Sequence, residues 1–272
     1  MTSGSVTIWV SEHRVDGRVV ARIGRRGEDL VAEFPSVGTF TSSPNGTRTQ
    51  FEPVEGAATT VLEKMNTSLI GALRRHLQGK VTLHGSAVAL RSKAAAFIGP
   101  SESGKSTLAA ALCAEPDVEL VADDTVAIEL PLTTETGVEI IPTQTKAWLL
   151  PDARLLLGLD AAPAGKSPVA FCGATSPTLT LDAIVGLVFD STVRQPTLRR
   201  LRGQEAFSLL SGSTIRFVID DPEAQLREFD QLRRLVRQCS VFELRRPPEL
   251  AQLGSSVALL RQLLQFPRAE AG

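Results

Sequence analysis

Apolar residues recur at every second position near the start of the chain, at Val6, Ile8 and Val10. The runs Arg18–Ile23 and Asp29–Phe34 are rich in β-branched and apolar residues, and turn residues intervene at Asp16-Gly17, Gly24 and Asn45-Gly46. This pattern predicts three or four short strands within residues 5–53, a small N-terminal β subdomain covering 1–57. Val61, Met65, Leu69, Leu73 and Leu77 then recur every fourth position, with Gly79 where a helix stop belongs. They predict a helix over 58–79 that bridges, through residue 80, into a main domain over 81–272.

From residue 81 the apolar runs become short and closely spaced. Val81–Leu90 and Ala94–Ile98 read as strands, a glycine-rich loop follows, and a helix runs from about Gly104 to Ala114. Further strands are read at Glu119–Ala122, Val126–Leu130, Val138–Ile141 and Leu181–Phe189, the last with Pro196–Leu201 as a candidate partner. So many strands close together predict an α/β fold with a mixed sheet flanked by helices. Residues 158–180, rich in Gly, Ala, Pro, Ser and Thr, read as a long loop. Gln204–Leu210 reads as a helix. Asp221-Pro222-Glu223 is a helix start, with Asp221 as cap, and the helix it opens is expected to bury Leu226, Phe229, Leu232, Leu235 and Val236. Ser240–Leu244 reads as a last strand, and a final helix carries Leu250, Leu253, Val257, Leu260 and Leu264.

Composition narrows the class. With 43% apolar and 22% charged residues, the 272-residue chain has enough apolar side chain for a globular core. The net charge of −1 gives no footprint for nucleic acid or an acidic membrane surface, so neither is expected as a partner. Basic runs such as Arg199-Arg200-Leu201-Arg202 read as solvated faces. Cys113, Cys172 and Cys239 follow no metal spacing and, in a chain this long, suit a reducing cytoplasm. The opening Met-Thr-Ser-Gly-Ser carries no targeting pattern, and cytoplasmic localisation is the expectation.

The chemistry concentrates in one segment. Gly99-Pro100-Ser101-Glu102-Ser103-Gly104-Lys105-Ser106-Thr107 matches the phosphate-binding loop, with Gly99, Gly104, Lys105 and Ser106 at the defining positions. Its backbone N–H groups wrap phosphate oxygens, the following helix points its positive end at them, Lys105 reaches the β and γ phosphates, and Ser106 ligates Mg²⁺. Glu102 places a carboxylate in an anion-binding loop and is expected to face solvent. Leu120-Val-Ala-Asp123-Asp124 reads as a strand delivering two carboxylates to the edge on which the loop opens. One can hold the metal, and the other can accept a proton from an attacking hydroxyl. His84, in Leu-His-Gly before the loop, is a further candidate, while His13 and His76 read as surface residues. Two decoys are set aside: Leu210-Ser-Gly-Ser213 lacks the Gly-Gln of transport ATPases, and Phe189-Asp190 is a less well-spaced metal strand than the earlier pair.

His84-Gly85, Gly99–Thr107 and Leu120–Val126 together resemble the catalytic domain of HPr kinase/phosphorylase. More closely, they resemble the stand-alone HPr-kinase-like proteins that tailor ribosomal peptides, lasso peptides among them. The similarity continues weakly through Lys146–Asp152 and Val241–Pro247. It implies a mixed-sheet fold related to phosphoenolpyruvate carboxykinase, and transfer of the ATP γ-phosphoryl group to a hydroxyl, usually serine, of a peptide or protein. By motif, Asp123 would be the general base with His84 beside it, and Ser106 and Asp124 would serve the metal. The glycine-rich signature that follows the acidic pair in HPr kinase is not visible here. The expectation is thus an ATP- and Mg²⁺-dependent kinase with a peptide or protein acceptor, and a homo-oligomer is left open. The alternatives are a small-molecule kinase or carboxykinase-like enzyme, and a nucleotide-binding switch without phosphotransfer.

Overall fold

The computed structural model describes residues 6–131, 137–160, 164–217 and 222–265. Its strands are β1 (Ile8–Val15), β2 (Arg18–Arg26), β3 (Asp29–Phe34), β4 (Gly38–Ser42), β5 (Thr49–Pro53), β6 (Thr82–Leu90), β7 (Lys93–Ile98), β8 (Val118–Ala122), β9 (Thr125–Glu129), β10 (Glu139–Ile141), β11 (Lys146–Leu149), β12 (Ser167–Ala170), β13 (Leu179–Phe189), β14 (Thr197–Leu201) and β15 (Ser240–Arg246). The helices are α1 (Thr59–Met65), α2 (Gly71–Leu77), α3 (Lys105–Cys113), α4 (Pro151–Leu156), α5 (Gly203–Ser213), α6 (Pro222–Gln238) and α7 (Leu253–Gln265). No helix among them is long and apolar enough to cross a membrane.

The chain divides into two compact units. One holds residues 1–80 with 216–224, the other 81–215 with 225–272. In the first, β1 to β5 form an antiparallel meander in sequence order. That is more strands than the three or four expected, because β4 and β5 are short and carry few apolar residues. Leu30, Ala32, Phe34 and Phe40 bury against Ile70 and Leu73 of the following helical segment. The outermost strand, β1, leaves Ile8 and Val10 exposed.

The helix predicted over 58–79 is interrupted by a π-helical turn, Asn66–Ile70, which separates α1 from α2. Of the predicted stripe, Leu73 is buried and Met65, Leu69 and Leu77 pack against the same core, the wider turn helping to keep a four-residue repeat on one face, while Val61 is exposed. Gly79 ends the segment at φ 68°.

The second unit is built on a mixed eight-stranded sheet. Its path is β10-β9-β6-β7-β13-β15-β14, with β8 also paired to β6. β13 is parallel to both β7 and β15, and the other pairs are antiparallel. β10 pairs with the start of β13 as well as with β9, so the sheet curls back on itself. One face packs on α5 and α6 through Ala206, Leu210, Leu232 and Leu235. The other packs on α3 and α7 through Leu108, Leu112, Val257 and Leu260.

Three expectations are corrected here. β14 pairs with β15 and not with β13, because the parallel strand β15 occupies that edge of β13. The stretch read as a loop over 158–180 contains β12, which pairs with β11. In α6, Leu232 and Leu235 are buried as expected, but Leu226 and Phe229 are 70% and 53% exposed. Pro222 opens that helix and Glu223 lies in its first turn, while Asp221, the expected cap, lies outside the described residues.

Candidate functional site

The site is set by register on β6. Gly85 stands opposite Ile98, the last residue of β7, on one side, and Ala87 stands opposite Ala122, the last residue of β8, on the other. The glycine-rich loop Gly99–Thr107 and the acidic pair therefore leave the sheet at nearly the same level, with the start of β6 between them. Gly85 has no room for a side chain, since a Cβ would lie 2.5 Å from the Phe97 carbonyl oxygen. By strand alternation His84, Ser86 and Val88 share one face. Val88 packs in the core built on α3, so His84 and Ser86 face the helix that follows the phosphate loop.

The acidic pair occupies a kink. β8 and β9 both pair with β6, and Asp123 and Asp124 are the two residues between them. Asp124 is left-handed at φ 69°, and its carbonyl oxygen accepts from the Gly85 N–H at 3.2 Å. They follow the end of β8, where the sequence placed them, and the chain then resumes pairing with β6 as β9.

Asp123 is 0% exposed. Its Oδ1 accepts from Ser86 Oγ at 2.7 Å, and its Oδ2 accepts from the Trp148 N–H of β11 at 2.9 Å. Burial pushes its carboxyl above the usual carboxylate range, and the charge of Asp124 adds to this. The Trp148 N–H and the nearby serine hydroxyls pull the other way without overcoming it. Asp124 is half-buried.

Gly104 caps α3 in the left-handed conformation at φ 80°. That conformation favours glycine, and a Cβ there would lie 2.4 Å from Nη2 of Arg246. Lys105 is the first residue of α3 and is buried. Its Nζ donates to the carbonyl oxygens of Gly99 at 2.9 Å and Pro100 at 2.7 Å, curled over the loop. Burial lowers its ammonium from the usual lysine value, with the charge of Lys166 as the next cause. Glu102 is exposed, as expected, at φ 64°. Ser103 is buried, and its hydroxyl has no partner among the described residues. Ser101 is exposed, while Ser106 and Thr107 in the first turn of α3 are half-buried.

His84 is half-buried, and burial followed by the charge of Lys105 lowers its imidazole below 6.5. Asp124 and Asp123 act on it in the opposite sense. His84, Lys105, Asp123 and Asp124 thus lie within electrostatic reach of one another. Lys166, just before β12, acts on both His84 and Lys105. The sequence reading missed Lys166 because it sits in a stretch taken for loop. It missed Ser86 because one serine in a strand carries no signal. His13 is exposed on β1, whereas His76, expected at the surface, is half-buried with its ring 5.8 Å from that of Phe217. Asp190 of the set-aside pair is held in an exposed turn by the Thr192 N–H at 2.9 Å, and Arg245 lies 3.4 Å away.

The residues present suit a nucleotide triphosphate with Mg²⁺. The buried Ser103 hydroxyl awaits a partner, Lys105 occupies carbonyl oxygens it can exchange for phosphate, and Ser106 and Asp123 form a hard-oxygen pair. No group of three or more His, Cys, Asp or Glu gathers for a metal among the described residues. Mg²⁺ typically takes one or two protein carboxylates together with substrate phosphates.

No family model matches the chain, and no curated protein matches it either. Among solved structures it is similar to the Hpr(Ser) kinase/phosphatase from Coxiella burnetii. That match has 14% sequence identity and a TM-score of 0.37, and it covers 67% of this chain and 95% of the other.

Proposed function

We propose that this chain is an ATP- and Mg²⁺-dependent kinase that transfers a phosphoryl group to a hydroxyl, in the first place serine, of a peptide or protein. The observation that carries the reading is the buried carboxylate of Asp123, held by Ser86 and the Trp148 N–H at the level where the glycine-rich loop leaves the sheet. A second carboxylate and an imidazole lie alongside.

ATP would supply the phosphoryl group and leave as ADP, and Mg²⁺, held by Ser106 and Asp123, would offset charge on its phosphates. The loop N–H groups and the start of α3 bind the phosphates. Lys105 releases the Gly99 and Pro100 carbonyl oxygens and turns its ammonium to the phosphates. We assign Ser106 and Asp123 to the metal and Asp124 to the acceptor, the reverse of the aspartate roles implied by the family resemblance. Asp123 is fixed by Ser86 and the Trp148 N–H and is the more deeply buried of the two, so Asp124 is the one left open to an acceptor. Asp124 is half-buried, and a carboxylate oxygen there takes the hydroxyl proton. His84, kept neutral by its surroundings, orients that hydroxyl. Lys166 adds positive charge over the same edge. Catalysis is mainly positioning and electrostatics.

The test incubates purified protein with ATP, Mg²⁺ and a peptide extract of the source cells. Mass spectrometry then follows products heavier by one phosphoryl group. The reading requires such peptides with the wild type and none with Lys105→Ala. Phosphorylated metabolites in their place would make it a small-molecule kinase. Bound but intact ATP with no product from any acceptor would overturn phosphotransfer. The aspartate roles are read separately: Asp124→Asn should keep Mg²⁺-dependent nucleotide affinity and lose turnover, whereas Asp123→Asn should lose the Mg²⁺ dependence itself.

A further inference from the structure

Arg246 ends β15 and is 4% exposed. Its guanidinium lies 4.7 Å from the centre of the Phe189 ring, and its Nη2 donates to the Ser103 carbonyl oxygen at 2.9 Å. Its Nε is buried with no partner among the described residues. No carboxylate pairs with it among those residues, and the neighbouring Arg245 takes Asp190 and Glu243. Burial pushes its guanidinium down to about 10, which leaves it a cation at neutral pH.

A buried cation without a counter-ion is costly, and folded proteins retain one where an anion is to be received. The sheet register shows where that anion would be. Gly186 of β13 stands opposite Ile98, and Phe189, three residues further on, stands opposite Arg246. Arg246 therefore lies about 10 Å beyond the end of β7, at the height of the phosphate loop. Its Nη2 would lie 2.4 Å from a Cβ at position 104.

We propose that Arg246 is a phosphate-binding residue of the nucleotide site, the counter-charge to the oligophosphate held by Gly99–Thr107. This rests on the nucleotide-site reading above. A residue serving only to hold the Ser103 carbonyl would need a donor and no net charge. The cation, its stacking on Phe189 and its orphaned Nε are accounted for by an anionic ligand. A guanidinium matches phosphate geometry through paired donors, and Phe189 holds its plane.

The test measures ATP and ADP affinity by calorimetry, together with the melting temperature of the nucleotide-free protein, for wild type, Arg246→Met, Arg246→Lys and Lys105→Ala. Arg246→Met should weaken both nucleotides about ten- to hundredfold, the loss of a charge-assisted hydrogen bond. It should leave the nucleotide-free melting temperature unchanged or raised, because an uncompensated buried charge has been removed. Arg246→Lys, which keeps the charge, should retain more affinity than Arg246→Met. The proposal fails if Arg246→Met binds nucleotide like the wild type. It fails equally if both Arg246 variants lose affinity alike and melt lower, the signature of a structural prop. A wild type that binds no better than Lys105→Ala would sink the nucleotide site and this inference together. A clear effect of Lys105→Ala with none of Arg246→Met would sink this inference alone.

Discussion

Ser86 Oγ reaches Asp123 Oδ1 at 2.7 Å from the neighbouring strand, and both residues are buried. Removing the hydroxyl leaves a buried carboxylate one donor short. Ser86→Ala should therefore cost about 1–3 kcal/mol in stability. Urea unfolding at neutral pH, with the slope compared between the two proteins, reads this directly.

Asp123 also makes stability depend on pH. Its carboxyl is raised above the unfolded value of 3.8, chiefly by burial and then by Asp124. Its contribution is therefore full below pH 3.8 and declines as pH rises towards its folded value, since the unfolded chain releases the proton first. Asparagine can accept from the Trp148 N–H and donate to Ser86, so Asp123→Asn keeps the contacts and removes the titration. Subtracting the wild-type unfolding free energy from that of Asp123→Asn should give a difference that grows as pH rises above 3.8. A flat difference would contradict the assignment.

His84 titrates in the opposite sense. Burial first and Lys105 second lower its imidazole below 6.5. The stability it confers is present above 6.5 and is lost as pH falls from there. A ¹H–¹⁵N titration of the ring should place its midpoint below 6.5. Because Lys166 is a further lowering cause, Lys166→Ala should move that midpoint back upwards. An unmoved midpoint would show that Lys166 does not act over the site.

Glu102 stands in the left-handed region at φ 64°, within the loop that is to hold phosphates. Glycine adopts that conformation without penalty, and Glu102→Gly removes a like charge as well. Nucleotide affinity should rise severalfold, more at low salt than at high salt. Stability should change by less than about 1 kcal/mol, because relief of strain is offset by a more flexible unfolded chain. Calorimetry at two ionic strengths tests both statements.

The parts of this architecture that reside in contiguous residues are legible without coordinates. Gly99–Thr107 and Asp123-Asp124 announce themselves because their chemistry depends on local backbone geometry and close spacing. Alternation and apolar runs likewise find β6, β7 and β13. What fails to show in the sequence depends on pairing at long range or on a change of helical pitch. Arg246 meets Ser103 across 143 positions, through two parallel strand pairings that no local pattern encodes. The π turn at Asn66–Ile70 leaves no mark in the sequence, because the apolar stripe from Met65 to Leu77 continues through it. Leu226 and Phe229 fit the apolar stripe of α6, yet the core of the second unit contacts that helix only further along.

The kink at Asp123-Asp124 has a consequence for how the protein loses its site. β6 grips the chain on both sides of the kink, at Ala122 and again at Thr125. The two carboxylates therefore cannot swing aside like loop residues, and they part only when the centre of the sheet comes open. Amide hydrogen exchange at Gly85 should then proceed through global unfolding alone, with the same free energy as the surrounding core. A molecule built this way has a complete acidic centre or none, with no partly opened form in between.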